Sequence, residues 1–202
     1  QPRLLLVYAI TALGYGGTFL SFTYLASILQ DVTGFSANAV SGVLLVYGVS
    51  VAIGNLWGGR LADRRGPIPA LKLIFALLAA VLFVLTFTAY NTWLVLLTVL
   101  ALGAVAFGNV PGLQVYVVKQ AQRYAPQATD VASGLNIAAF NIGIALGASL
   151  GGLVVEHVGL MHTPWLGALV VVGAYALTVL SGRLDRRDGI DDRADGIAVA
   201  AH

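Results

Sequence analysis

Apolar residues gather in six long runs: Leu4 to Leu29, Ala39 to Gly59, Leu73 to Tyr90, Trp93 to Val118, Val131 to Val155 and Pro164 to Gly182. None of these runs contains Asp, Glu, Lys or Arg. They are about 18 to 26 residues long, and a helix rising ~1.5 Å per residue needs about 20 to cross a ~30 Å hydrocarbon layer. Barrel strands would alternate polar and apolar positions, which these runs do not, and lipid offers no partner for backbone N–H and C=O groups outside a helix. The pattern predicts an all-α membrane protein of six transmembrane helices. The first run is too long for the apolar region of a signal peptide and leads to no cleavage site, so it counts as a span.

Composition agrees. Hydrophobic residues make up 58% of the chain and charged residues 10%, with a mean hydropathy of +0.87. A soluble domain carries about 25% charged residues, so this chain lacks the polar surface that water would demand. There is no cysteine, which excludes disulfides and thiol chemistry and leaves the redox compartment undetermined. The sequence contains no phosphate-cradling Gly-Lys-Ser/Thr loop, and nothing in it points to a cofactor, a metal or a nucleic-acid partner. The partner it implies is the lipid bilayer.

The basic residues then set an orientation. Arg3 precedes the first run, Arg60, Arg64, Arg65 and Lys72 lie between the second and third, Lys119 and Arg123 between the fourth and fifth, and Arg183, Arg186, Arg187 and Arg193 follow the sixth. The connections on the other side, 30–38, 91–92 and 156–163, hold no Lys or Arg. The positive-inside rule therefore predicts both termini in the cytoplasm. Trp57, Trp93 and Trp165 fall near run ends, where amphipathic rings are expected. Residues 1–183 read as one six-helix domain, and 184–202, rich in Asp, Arg, Gly and Ala, as a disordered cytoplasmic tail.

Between the second and third runs stands Gly59-Arg-Leu-Ala-Asp-Arg-Arg-Gly66, followed by Pro67. Gly58 and Gly59 are expected to end the second helix, Asp63 to accept hydrogen bonds from arginines or exposed helix amides, and Gly66-Pro67 to turn the chain into the next helix. The expected product is a short, stiff, charged latch. Gly59, Leu61, Ala62, Asp63, Arg64 and Gly66 resemble the signature that the major facilitator superfamily carries between the second and third helices of each six-helix half. Pro67 and Ile68 stand where a basic pair often follows, a departure more typical of the second half's copy. Ser133 to Gly152 in turn resembles the penultimate helix of bacterial drug and sugar efflux permeases of the arabinose-efflux-like group.

That resemblance implies a twelve-helix carrier of which this chain is the C-terminal half, the N-terminal six-helix half being absent from the chain. It further implies export of small organic solutes such as drugs or sugars across the bacterial inner membrane, by alternating access and proton antiport. A self-contained six-helix subunit or channel-like protein acting as an oligomer is the alternative.

The sequence also carries an internal likeness. A shift of 93 residues lays Gly54, Gly58, Gly59, Asp63 and Gly66 over Gly147, Gly151, Gly152, Glu156 and Gly159, and Ser50 over Gly143. Each copy thus presents a small-x-x-x-small seam, Ser50-Gly54-Gly58 and Gly143-Gly147-Gly151, suited to close helix packing in lipid. A looser shift of 92 pairs Tyr15, Gly16 and Tyr24 with Phe107, Gly108 and Tyr116. Three helices separate the copies, so they face opposite sides of the membrane. This is a 3+3 inverted repeat.

Polar residues inside spans are costly and mark cavities or interhelical bonds. The candidates for a solute cavity are Tyr15, Thr18 and Tyr24 in the first run, Tyr47 in the second, Asn109 and Gln114 in the fourth, and Asn136 and Asn141 in the fifth. For the asparagines, interhelical hydrogen bonding is an equal alternative. Asn136 and Asn141 lie about 140° apart around a helix, so one is expected in the cavity and the other braced against a neighbour. Pro111 is expected to bend the fourth helix as a gating point, and Gly14, Gly16 and Gly17 to soften the first. No Asp, Glu, Lys or Arg lies in mid-span, so proton coupling would need a carboxylate from the absent half.

Gly147-Ala-Ser149-Leu-Gly151 fits the Gly-x-Ser-x-Gly pattern of serine hydrolases. It lies inside a long apolar run rather than at a strand-to-helix turn, and the histidines are only His157, His162 and His202. The sequence is not that of an enzyme.

Overall fold

A computed structural model describes residues 1–189. Among them, six helical spans are long and apolar enough to cross a membrane: Pro2–Val32, Ala37–Arg65, Pro67–Thr88, Thr92–Tyr124, Pro126–His157 and His162–Arg187. All six expected spans are present, each longer than its uncharged run. Helices continue into water wherever the flanking residues favour helix and the last turns can be solvated.

This extension corrects two expectations. The second helix does not end at Gly58 and Gly59 but runs unbroken to Arg65, so Asp63 and Arg64 stand on its last turn and not in a loop. Leu, Ala and Arg are good helix formers, and the two glycines are held by packing against the fourth span. The whole connection is Gly66, with φ of 81°, followed by Pro67 as the first residue of the third helix. The sixth helix likewise continues through Leu184 and Asp185 to Arg187. The start of the expected disordered tail is therefore helix and 188–189 a turn; its remainder, 190–202, lies outside the described residues.

Side chains and glycines set the other ends. Ser36 Oγ accepts from Ala39 N at 3.3 Å, and Asn91 Oδ1 accepts from Trp93 N and Leu94 N at 3.0 and 3.1 Å, capping the second and fourth spans as short polar side chains do. Gly66 and Gly159, which the 93-residue shift pairs, both have positive φ, 81° and 118°. The two repeats thus turn at equivalent places with the residue that tolerates it.

Packing shows the same symmetry. The first span packs on the fifth and sixth, the fourth on the second and third, and the third on the sixth. Exchanging spans one, two and three with four, five and six maps this set of neighbours onto itself. The fold is a 3+3 inverted repeat.

Two glycine seams hold the bundle. A Cβ on Gly54 or Gly58 would overlap the carbonyl oxygens of Ala104 and Gly108, and one on Gly143, Gly147 or Gly151 those of Ala12, Gly16 and Leu20. Ser50 Oγ donates to Leu100 O, completing the first seam. In a solvent as apolar as leucine, such backbone approach supplies the attraction that burial cannot. Since Gly54 and Gly147 are equivalent, the partner of Gly16 is Ala104. The looser pairing of Gly16 with Gly108 is one helical turn out.

Neither Gly14, Gly16 nor Gly17 bends the first helix, which is regular from Pro2 to Phe22. All three are contact points, Gly14 under the Phe75 ring and Gly17 against Gly167 O. The first span breaks instead at Thr23 and Tyr24, before a widened turn in which Thr33 N donates to Ile28 O at 3.1 Å. The fourth span breaks at Phe107 and Gly108. Pro111 has no N–H for Phe107 O, which takes Val110 N at 3.2 Å instead.

Candidate functional site

A cavity of about 180 Å³ opens where the first, fourth and fifth spans meet. It is lined by Thr11, Tyr15, Val110, Leu113, Gln114, Asn136, Ile137 and Phe140. All lie near the middle of their spans, and none is charged. Depth and lining follow from local structure: the Phe107–Gly108 break opens the helix just before Val110, and the Gly143–Gly151 seam draws the fifth span onto the first.

The walls are braced by polar pairs. Tyr15 donates its hydroxyl to Asn109 Oδ1 at 2.8 Å, and Thr11 Oγ1 donates to Asn136 Oδ1 at 2.7 Å. Both bonds are buried and cross between spans. The Tyr15 ring meets Phe140 edge to face, centroids 3.9 Å apart, and Phe107 at 6.2 Å. Asn109 Nδ2 is buried with no hydrogen-bond partner among the described residues. An aromatic wall, amide groups and no fixed charge can stack on and hydrogen-bond a neutral solute.

Of the eight candidates named from the sequence, the structure brings Tyr15, Gln114 and Asn136 to the cavity wall, with Asn109 directly behind Tyr15. The other four lie elsewhere. Thr18 is buried and donates to Gly14 O at 2.8 Å within its own helix. Tyr24 donates to Ala148 O at 2.9 Å with its ring over Gly151 and Gly152, so it fastens the first span to the fifth. Tyr47 stacks on Phe22, centroids 5.0 Å apart. Asn141 is exposed and donates to Ile137 O of its own helix at 2.9 Å, bracing no neighbour. Thr11 and Phe140 were missed. Thr11, Tyr15 and Thr18 form a helical i, i+4, i+7 polar stripe that marked the face, and Phe140 follows Asn136 by one turn.

The charged motif stands apart from this cavity. Gly59 packs on the Pro111 ring, its would-be Cβ 3.7 Å from Pro111 Cβ, so the motif helix touches the fourth span just past its break. Asp63 is exposed and has neither a hydrogen-bond nor an ion-pair partner among the described residues. The latch expected from Asp63 and its neighbouring arginines is not closed among the described residues.

Residues 4–195 match the model of the Major Facilitator Superfamily. The chain belongs to this superfamily. Among curated relatives it is 58% identical over 188 residues to the uncharacterized MFS-type transporter YtbD of Bacillus subtilis, covering 93% of this chain and 47% of that protein. It is 36% identical to the inner membrane transport protein YdhP of Escherichia coli K12, covering 91% and 46%. A probable sugar efflux transporter of Pasteurella multocida is 32% identical, over 89% of this chain and 43% of that protein. The chain thus spans about half the length of the curated relatives it matches. These relatives are transporters, and the major facilitator fold accounts for Gly147-Ala-Ser-Leu-Gly151 as a seam in a continuous helix, Thr129–His157, with no hydrolase role.

Proposed function

We propose that the chain is the C-terminal half of a secondary carrier that exports small, neutral organic solutes, of drug or sugar type, from the cell. The observation that carries this is the uncharged cavity of about 180 Å³ at mid-span, walled by Tyr15, Gln114, Asn136 and Phe140. A second six-helix half would close the open side of this cavity, and rocking of the halves would expose it to each face in turn. The name of the Pasteurella relative supports a solute of sugar size. The distribution of basic residues supports both termini lying on the cytoplasmic side of the inner membrane.

Coupling to protons is part of the proposal. Among the described residues the cavity wall holds no carboxylate, so the proposal assigns the coupling group to the other half. Asp63, on the cytoplasmic end of the second span and with no partner among the described residues, is positioned to hold the cytoplasmic side shut against that half. Gly59, Arg64, Gly66 and Pro111 would orient it.

The test is solute counterflow in proteoliposomes holding the complete transporter. Saturable exchange that weakens in Asn136→Ala and Gln114→Ala supports the carrier. Ohmic current without exchange would replace it with a pore.

A further inference from the structure

At the basic end of the bundle, away from the cavity, a carboxylate is buried. Asp185 of the sixth span is 3% exposed. Tyr116 donates to its Oδ2 at 2.7 Å while lying 2.6 Å from Ser181 Oγ, and Gln120 Nε2 donates to both carboxylate oxygens at 3.0 and 3.1 Å. Arg3 of the first span brings Nη1 to 3.8 Å from Oδ1 and pairs through Nη2 with Asp188. At the rim, Tyr124 donates to Asp188 Oδ2 at 2.8 Å and Arg123 to the Asp188 carbonyl at 3.0 Å. The third span contributes Lys72, whose ammonium lies against Gly182. One carboxylate therefore gathers the first, fourth and sixth spans.

Its position matters for the cavity. Tyr116 and Gln120 lie on the same helical segment as Asn109 and Gln114, Asn109–Tyr124, just past the break at Phe107 and Gly108. That segment is held at one end by Tyr15 on Asn109 and at the other by Asp185. A buried carboxylate must be paired or neutralised, and this cluster can do either. The Arg3 contact is Coulombic at 3.8 Å, and Gln120 Oε1 is buried with no hydrogen-bond partner among the described residues. Rotation of that amide would offer Oε1 as the acceptor for a carboxyl proton.

We infer that Asp185 is a proton-operated positioning residue. Its carboxylate clasps the Asn109–Tyr124 segment to the first and sixth spans, and a proton taken from the cytoplasm removes the attraction of Arg3 Nη1 and replaces the two-oxygen grip of Gln120 Nε2 with a single bond to Oε1, which loosens the segment to swing about Phe107–Gly108. This rests on the reading of the cavity as the transport site.

This chain has no cysteine, so once any cysteines of the other half are replaced by serine, Val118→Cys, one turn past Gln114 toward Asp185, gives a clean reporter. It is labelled with an impermeant maleimide from the cytoplasmic face of vesicles holding the complete transporter, normalised at each pH to the unfolded protein. Labelling is expected to rise about fivefold or more on acidification. Asp185→Asn should label at the acid rate at every pH, and Asp185→Glu and Asp188→Asn should keep the titration. Arg3→Gln keeps the carboxylate and should move the midpoint to higher pH. Flat labelling in the unmodified pair, or a wild-type profile in Asp185→Asn, overturns the inference. Should Asp185→Asn fail to fold, an unmoved midpoint in Arg3→Gln overturns it equally. Labelling needs no solute, so a failed counterflow assay would strike the transport reading alone.

Discussion

The Tyr15 hydroxyl reaches Asn109 Oδ1 at 2.8 Å, and this bond joins the regular first helix to the fourth span immediately after its break. Every cavity residue of the fourth span comes after that point. Tyr15→Phe keeps the ring on Phe140 and removes only the donor, leaving the Asn109 amide unpaired at both ends. The expected cost is about 1 kcal/mol of stability, within the range of interhelical bonds in lipid. Solute affinity should fall as well, because Val110 and Gln114 lose their brace. Thermal unfolding in detergent and counterflow on the same preparation check both effects.

The seams predict a sharp contrast among glycines. In Gly147→Ala the added methyl meets the Gly16 carbonyl, which is backbone and cannot rotate away. The first and fifth spans must separate, at about 1–3 kcal/mol for overpacking of this kind. Gly48→Ala, on the second span, meets nothing within 4 Å among the described residues. It should be neutral or slightly stabilising through helix propensity. Equal folded yields for the two variants, measured by fluorescence-detected size exclusion, would show that the seam carries no energy.

These seams were legible before the structure because small-x-x-x-small spacing has one physical use in lipid, and the inverted repeat followed from their shared offset. The cavity was legible only in part. Polar residues inside apolar runs reveal the cost of burial but not the direction of the side chain, so Tyr15 and Asn136 were found together with Thr18, Tyr24 and Asn141, which satisfy themselves locally or on a seam. Asp185 was hidden for a different reason. Ending the sixth helix at the last apolar residue placed this carboxylate in a tail, whereas Tyr116, Gln120 and Arg3 supply the partners that let the helix continue with it buried.

Asp188 gives a pH prediction. The Tyr124 hydrogen bond, aided by Arg3 and opposed by slight desolvation, holds its carboxyl below the ordinary 3.8. A carboxyl whose folded pKa lies below its unfolded value contributes stability that is fully present above the unfolded value. That contribution is lost as pH falls through the folded one. The melting temperature of the wild type should therefore drop on going below about pH 4, and Asp188→Asn should remove that part of the drop. Identical acid profiles for the two proteins would rule the contribution out.

Asp63 is the residue whose surroundings in this half explain it least. It stands exposed on the last turn of the second helix beside Arg64 and Arg65. The dipole there favours the two arginines and disfavours a carboxylate. With no partner among the described residues, it is available for the contact with the other half that the proposed function gives it. If that contact holds the cytoplasmic side shut, Asp63→Asn should shift the carrier toward its inward-open state by about 1–3 kcal/mol, roughly a 5- to 150-fold change in the conformer ratio. Asp63→Glu should shift it less, since the charge remains. Ile137→Cys on the exposed cavity wall reports the ratio through impermeant labelling from each face in turn. The gating role fails if that ratio is the same in the wild type and in Asp63→Asn, and the motif would then be a packing device, Gly58 and Gly59 against Gly108 and Pro111, with its charges serving orientation in the membrane alone.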